Sequence, residues 1–122
     1  MSYNLLNPVH IIQAQSMASN ITSAAQEVKS QDNIGVQFNW TGSAVGVFGV
    51  QVSMDYYQDL EGNIVNPGNW TTIPLSPGVV AAGSSSTAYI DLNQLSAPYI
   101  RVTYTATSGT GVLNAFINAK GV

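Results

Sequence analysis

Charged residues are scarce in this sequence. Lysine, arginine, aspartate and glutamate make up 7% of the 122 residues, with three basic and six acidic side chains, whereas roughly 25% is ordinary for a globular domain. Hydrophobic residues still make up 45% of the chain, so the composition is not that of a disordered segment. Neutral polar groups must therefore cover the surface. We interpret such a surface as one that partner molecules cover, or one that works outside the cytosol.

Other absences exclude whole classes of function. Because the chain has no cysteine, it has no disulfide framework, thiolate nucleophile or cysteine-ligated metal site. Three basic residues cannot neutralise the roughly six or more phosphates of an ordinary DNA footprint, so we expect no nucleic-acid partner. No stretch approaches the roughly 20 apolar residues of a membrane span, and no basic segment precedes a continuous apolar run. We therefore expect no membrane partner and a chain made in the cytoplasm without a secretion signal.

Short segments in which apolar and polar residues alternate fill most of the chain. The clearest runs lie at 34–40, 48–54, 87–92, 100–106 and 113–119, with Gly, Ser, Asn and Pro clustered between them. Alternation with a period of two predicts strands, and no convincing amphipathic helix is present. The sequence therefore predicts an all-β protein, a single antiparallel β-sandwich or jelly roll of about eight strands.

The N-terminal residues predict a short arm ahead of the sandwich. Residues 1 to 8 show no periodicity, and Pro8 restricts the preceding residue to extended conformations. We expect the sandwich domain to span residues 9–122, with its first strand at 9–15. The ambiguous segment at 17–31 is interpreted as a strand with a polar face, and the strand at 70–75 as an edge strand because it contains Pro74.

Two pairs of consecutive strands are predicted to form hairpins. The first joins the run ending at Trp40 to the run beginning near Val47, through a turn that contains Gly42. The second closes the chain through the turn 108–111. The solvent positions of the closing pair carry Thr and Asn in place of charges, and such a face can pack against a partner without desolvating charged groups.

The sequence contains no recognisable catalytic constellation. His10 is the only histidine, and a lone histidine in an apolar strand is usually structural. No local motif pairs a nucleophile with a base. We therefore predict that the protein is not an enzyme, with no catalytic residue and no cofactor.

A long loop at residues 55–69 is the remaining candidate for chemistry. Its oxygen-bearing side chains include Asp55, Asp59, Glu61 and Asn63. With Gly62 allowing a sharp turn, they could wrap a calcium ion, but no Glu closes the loop at the EF-hand position, and these are the ordinary residues of long turns. We predict no metal site. A pair of carboxylates for glycoside hydrolysis would be drawn from the loop carboxylates and Asp91, and the sequence does not set their separation.

Aromatic residues flank the same loop, at Tyr56, Tyr57 and Trp70. We favour a role in contacts with neighbouring subunits, because tyrosine and tryptophan are common interface anchors, over a role in binding glycans. Further contact candidates lie in the arm, at Tyr3, Leu5 and Leu6.

Arg101 is predicted to be structural. It lies in a strand whose neighbouring residues are neutral, and carboxylates are few in this chain. We therefore expect it to pair with Asp55 or Asp91, which are assigned structural roles with it.

Several segments resemble a family of small bacteriophage structural proteins, in which a "VQVS-D" strand leads to a loop, a W-T strand, an "IDLNQL-APYIR" segment and a final hairpin. Here these elements are Val50 to Asp55, Trp70-Thr71 and Ile90 to Arg101, followed by the closing strands. The resemblance covers roughly residues 17–120. The chain is also similar, more loosely, to discoidin-type jelly rolls, through Ser53, Asp55, Trp70, Tyr99, Ile100 and Arg101.

The resemblance implies a non-enzymatic protein of the virion, made in the host cytoplasm. A capsid decoration or cement protein is the first expectation, with a head-fibre or tail component as another position. Its expected partners are the major capsid protein or other virion proteins, and further copies of itself in a homo-oligomer, with a trimer as the first expectation. The alternative hypothesis is a carbohydrate-binding module that contacts glycans through Trp70, Tyr56 and Tyr57. An enzyme acting on polysaccharide is the third and weakest.

Overall fold

The described part of the chain is built from β-strands without a helix. The computed structural model describes residues 5–28, 33–73, 79–93 and 98–120. The strands are β1 (Leu5–Ser16), β2 (Ile21–Thr22), β3 (Gln26–Glu27), β4 (Asn33–Gly42), β5 (Val45–Ser53), β6 (Tyr57–Gln58), β7 (Ile64–Asn66), β8 (Thr71–Thr72), β9 (Val79–Ala82), β10 (Ser86–Asn93), β11 (Tyr99–Ser108) and β12 (Gly111–Lys120). The prediction of an all-β antiparallel fold is confirmed.

The strands form two antiparallel sheets and one separate hairpin. The first sheet has the order β1-β12-β4-β10, and the second has the order β2-β11-β5-β8. In the second sheet, β2 and β3 both pair with β11 and together form one edge. β8 and β9 both pair with β5 and together form the other edge. The sandwich therefore has eight strand positions, four in each sheet. The chain changes sheet between successive strand positions except from β5 to β8–β9, which lie in the same sheet, and this order is that of a jelly roll.

The alternating apolar residues of the two sheets meet in one core. In β4, every second residue from Ile34 to Trp40 is buried, and β5, β11 and β12 follow the same pattern. An aromatic group lies at the centre, where the ring of Phe48 is 4.5 Å from that of Phe38, 4.8 Å from that of Trp40 and 5.0 Å from that of Tyr104 (centroid distances). Phe38 and Trp40 belong to the first sheet, and Phe48 and Tyr104 to the second, so the contacts among these rings stabilise the packing of one sheet on the other.

Both predicted hairpins are wrong as strand pairings, although their strands and turns lie where expected. β4 belongs to the first sheet and β5 to the second, and the same is true of β12 and β11. The chain therefore crosses between the sheets at each turn. A hairpin and such a crossing both bring two apolar faces to one core, so alternation alone cannot distinguish them.

The two crossings lie side by side at one end of the sandwich. The amide of Ser43, in the β4–β5 connection, donates a hydrogen bond to the carbonyl of Thr110, in the β11–β12 connection, at 2.8 Å. Gly42 and Gly109 have φ angles of 101° and 75°, in the region that other residues rarely adopt. These two glycines therefore allow the sharp turns by which the chain crosses from one sheet to the other.

The first strand is longer than predicted. β1 begins at Leu5 instead of residue 9, and the backbones of Leu5 and Leu6 pair with those of Lys120 and Ala119 in β12. Leu5 and Leu6, which were predicted to belong to the arm, thus have strand partners within their own chain. Tyr3 and the other residues of 1–4 lie outside the described residues.

Two further boundaries differ from the prediction. The strand expected at 17–31 is two short strands, β2 and β3. Between them, the amide of Ser23 donates a hydrogen bond to the carbonyl of Val102 at 2.9 Å, and the hydroxyl of Ser23 accepts one from the amide of Val102, also at 2.9 Å. The strand expected at 70–75 is limited to β8, at the edge of the second sheet. Pro74 lies outside the described residues. Beyond it lies β9, a strand that was not predicted from the sequence.

The buried hydroxyl of Tyr104 gives a prediction about stability. Tyr104 is fully buried, and its Oη has no hydrogen-bond partner among the described residues. Burial also raises the pKa of this phenol. Because a buried hydroxyl without a partner costs free energy, Tyr104→Phe is expected to raise the free energy of unfolding by about 1 kcal/mol. Denaturant titration checks this, and a loss of stability would mean that the hydroxyl is bonded.

Candidate functional site

The long connection between β5 and β8 carries most of the candidate residues. It contains the β6–β7 hairpin, in which Tyr57 pairs with Asn66 and Gln58 with Ile64. The hairpin was not predicted from the sequence, because its strands are too short to show alternation.

Asp59 closes the tip of this hairpin. Its Oδ1 accepts hydrogen bonds from the amides of Glu61 and Asn63, both at 2.9 Å, and its Oδ2 accepts one from the Asn63 side chain at 3.3 Å. These bonds lower the pKa of Asp59, the largest contribution being that of the Asn63 amide. The carboxylate therefore organises the turn, as Asp commonly does. Across the described residues, no three His, Cys, Asp or Glu side chains lie close enough to hold a metal ion.

Asp55 fastens the two ends of the connection together. Its Oδ1 accepts from the amide of Asn69 at 2.8 Å and from the hydroxyl of Ser53 at 2.9 Å, and its Oδ2 accepts from the Asn69 side chain at 2.8 Å. The Asn69 amide is the main reason that the pKa of Asp55 lies below its ordinary value of 3.8. Ser53 also accepts from the amide of Tyr56 at 3.0 Å. The partners of the Asp55 carboxylate are therefore neutral groups, those of Ser53 and Asn69.

The lowered pKa of Asp55 predicts an acid transition of this connection. A carboxylate with a depressed pKa in the folded state contributes stability at higher pH, which is lost as the pH falls through that pKa. We expect the fluorescence of Trp70, isolated as the difference between wild type and Trp70→Phe, to change at a pH below 3.8. In Asp55→Asn this transition should be absent. An unchanged transition in that variant would assign it to another group.

An aromatic cluster lies where the connection folds over the outer face of the second sheet. The ring of Tyr56 lies 4.8 Å from that of Tyr99 and 5.4 Å from that of Trp70. Tyr56 and Tyr99 are buried, and Trp70 is partly buried, with its indole nitrogen donating to the carbonyl of Pro67 at 3.1 Å. Two of the three predicted contact aromatics therefore pack within the chain, while Tyr57 remains half exposed.

Arg101 completes this cluster with partners other than those predicted. Its Nε donates to Oε1 of Gln51 at 2.7 Å, and its Cζ lies 4.2 Å from the centroid of a Trp70 ring, a cation–π contact. Partial burial lowers its pKa. Asp55 bonds Ser53 and Asn69 instead, and Asp91 lies exposed on β10 in the other sheet. The expected ion pair is therefore replaced by an amide and a ring.

The β6–β7 hairpin exposes apolar side chains that sequence reasoning did not single out. They are Leu60, fully exposed at 107%, Ile64 at 61% and Val65 at 60%, beside the half-exposed Tyr57. Adjacent residues of a strand point to opposite faces, and both Ile64 and Val65 are exposed, so this hairpin projects from the sandwich. We call residues 57–66 the apolar hairpin. The signal available in the sequence was the presence of four large apolar or aromatic residues within ten residues of a turn-rich loop.

His10 occupies a structural position at the other side of the molecule. Its ring stacks on that of Phe116 at 4.4 Å, and its Nε2 lies 2.9 Å from Oδ1 of Asn114. The same oxygen accepts from the amide of Ala14 at 3.0 Å. The side chain is exposed, and these contacts tie β1 to β12.

No helix in the described ranges is long and apolar enough to cross a membrane.

Comparisons with known proteins bear on the fold. No family model and no curated protein matches the chain. The structure is similar to the SPBc2 prophage-derived protein YomS, with a TM-score of 0.50 and 12% identity over 99% of this chain and 96% of that one. It is also similar to a chain in the structure of infectious bursal disease virus, strain Gx, with a TM-score of 0.50 and 9% identity over 98% of this chain and 32% of that one. The chain thus spans about a third of the viral chain, and such low identities show the fold alone.

Proposed function

We propose that this protein is a non-enzymatic structural component of a bacteriophage virion, a decoration or cement protein on the capsid. Its partners are the major capsid protein or other virion proteins, and it acts as a homo-oligomer, with a trimer as the first expectation. The chain is made in the host cytoplasm and works on the particle.

The observation that carries this proposal is the apolar hairpin. Four apolar or aromatic side chains project into solvent on a chain of which only 7% is charged. Exposed apolar groups of this kind mark protein contacts. The hairpin also carries the carboxylates of Asp59 and Glu61, and that of Asp59 already accepts hydrogen bonds from the amides of Glu61 and Asn63. The full-length fold similarity to a prophage-derived protein supports a phage context.

Attachment would depend on many weak contacts. A ten-residue hairpin offers a small contact surface, and small interfaces alone give weak or transient binding. Many copies arranged on a regular lattice raise the effective affinity of each contact. The jelly roll would serve as the rigid support from which each hairpin projects.

Rebinding to particles tests the role of the hairpin. Purified protein is added to particles from a phage that lacks the gene, and the bound fraction is measured by co-sedimentation. Wild type should bind to saturation, and the double variant Leu60→Ser/Ile64→Ser should bind at least about tenfold more weakly. The matched control is Val80→Ser, which changes a half-exposed valine on the second sheet. Equal binding of wild type and the double variant would contradict the proposal.

Glycan binding is the second candidate function, and a different surface favours it. A groove of about 310 Å³ lies on the outer face of the second sheet, and its polar lining includes Asn20, Thr22, Gln51, Thr72, Thr103 and Thr105. Neutral hydroxyl and amide groups suit an uncharged sugar. The aromatic residues named for this role do not line the groove. Binding on a glycan array that Thr103→Val abolishes, without loss of stability, would support this candidate over the first.

A further inference from the structure

A sandwich of two open sheets has four edges, and an uncovered edge strand can pair with another chain. In this protein the edge positions are β1 and β10 in the first sheet, and β2–β3 and β8–β9 in the second. Natural proteins protect edges with short or broken strands, prolines, bulges or charges. The four edges differ sharply in these features.

Three of the edges are protected. β1 contains Pro8, a residue with positive φ at Ala14 (49°), and three register shifts against β12. The β2–β3 edge consists of two strands of two residues each, and the β8–β9 edge of strands of two and four residues. Each of these edges lacks a long, regular row of free backbone groups.

The fourth edge, β10, has almost none of these features. Its eight residues, STAYIDLN, contain no proline, glycine or basic residue, and the only charge is that of Asp91. Its pairing with β4 runs without a register shift from Ser86 opposite Trp40 to Asn93 opposite Asn33. On its other side, β10 has no strand partner within the described ranges.

The largest side chain of β10 leaves this edge open. The Tyr89 ring leans inward over β4, since a Cβ placed on Gly35 would lie 2.6 Å from its hydroxyl oxygen and 3.0 Å from Cε1. Gly35 is the β4 residue opposite Asp91. The ring therefore covers the sheet and not its edge, although Tyr89 as a whole is 66% exposed.

We propose that β10 pairs with β10 of a second copy of this chain, antiparallel and about a two-fold axis at Tyr89. The two first sheets then join into one continuous sheet of eight strands. In this register Tyr89 faces Tyr89 of the other copy, and Asp91 faces Thr87, whose hydroxyl can donate to the carboxylate. An axis at Asp91 would instead place two like charges opposite each other, which is unfavourable.

A second copy fits this edge because the strand is complementary to itself. A two-fold contact uses the same surface on both subunits, and the chosen register leaves no like charges opposed. The contact goes beyond the proposed function and does not depend on it, because it is measured in solution without particles. If trimers also form, this contact would link them in pairs, so the assembly would contain an even number of chains.

Cysteine cross-linking tests the contact and its register. The chain has no cysteine, so Tyr89→Cys introduces a single thiol. Residues directly opposed in an antiparallel pair have Cα atoms about 4.5–5.5 Å apart, within disulfide range. Tyr89→Cys should form a disulfide-linked dimer under mild oxidation. Two control variants should form no such dimer. Thr87→Cys lies on the same strand, but in this register residue 87 faces Asp91 of the other copy. Thr105→Cys lies on the exposed face of β11. Cross-linking of all three alike would overturn the proposal.

Sedimentation of variants without a disulfide provides the second measurement. Tyr89→Lys places two positive charges opposite each other, and is expected to raise the dissociation constant about tenfold. Thr105→Lys is the matched control and should behave like wild type, with circular dichroism showing that both variants are folded. Exposed strand edges associate at concentrations of about 100 µM. A wild-type protein that stays monomeric up to this concentration would therefore contradict the proposal. So would an odd-numbered assembly, or one that Tyr89→Lys leaves unchanged.

Discussion

Phe48→Ala is expected to lower the free energy of unfolding by about 3–5 kcal/mol. The Phe48 side chain is 2% exposed, and its ring contacts those of Phe38, Trp40 and Tyr104. Phe48 and Tyr104 come from the second sheet, whereas Phe38 and Trp40 come from the first. Removing this ring therefore opens a cavity between the sheets, where neither backbone can move easily to fill it.

Denaturant titration of Phe48→Ala beside Val47→Ala measures this effect. Val47 precedes Phe48 on β5 and is 50% exposed, so its truncation should change the free energy of unfolding by less than about 0.5 kcal/mol. Similar losses in the two variants would mean that β5 does not present Phe48 to the core, and the packing of the sandwich described above would be wrong.

Gly109→Ala is expected to cost about 3 kcal/mol, through two separate causes. Gly109 has a φ of 75°, and an alanine in that region costs about 1–2 kcal/mol. A Cβ there would also clash with the carbonyl oxygen of Ser43 and lie 3.1 Å from Cα of Ala44. These are backbone atoms of the other crossing, so relief of the clash requires the two corners to separate, and such local strain adds on the order of 1–3 kcal/mol.

Gly62→Ala separates the two causes. Gly62 also has a positive φ, 87°, but a Cβ at this position would meet nothing within 4 Å. Only the conformational cost should appear, about 1 kcal/mol. The excess loss in Gly109→Ala, measured by thermal or denaturant unfolding, reports the contact between the crossings. Equal losses in the two variants would show that the corners do not touch.

The strands of this fold could be predicted from the sequence more easily than their partners. Burial of every second residue produced clear alternation in β4, β5, β11 and β12, because one face of each contacts the core. Which strand lies beside which depends on contacts between distant parts of the chain, such as β1 with β12, and local alternation holds no information on them. The assumption that neighbours in sequence pair in a hairpin failed at Gly42 and Gly109 for this reason.

The candidate site shows the same limit. The sequence identified the connection from 55 to 69 and its aromatic residues, because they are unusual in a loop. It could not show that Tyr56 packs under Trp70 while Tyr57 faces solvent, since adjacent residues point in opposite directions and only the tertiary fold decides which is inside. Arg101 was expected to pair with Asp55 or Asp91, but strand pairing brings Gln51 to it and the returning loop brings Trp70.

The low charge of the chain bears on both the proposed strand pairing and the proposed function. A protein surface of Thr, Asn, Ser and Gln can hydrogen-bond to water or to a partner at similar cost, whereas burying a lysine or glutamate is expensive. The β10 edge carries one charged residue, Asp91, and the apolar hairpin carries two, Asp59 and Glu61, so both surfaces are mostly neutral. Both are surfaces for which contacts with other chains are proposed above.

The central claim is that this protein is a component of virus particles, and their composition tests it most directly. Particles of the phage proposed to encode the chain are purified by density gradient, and the protein is quantified against the major capsid protein by mass spectrometry. We predict many copies per particle, in a fixed ratio to the capsid protein that further purification does not change. A protein abundant in the lysate but absent from purified particles would contradict the account.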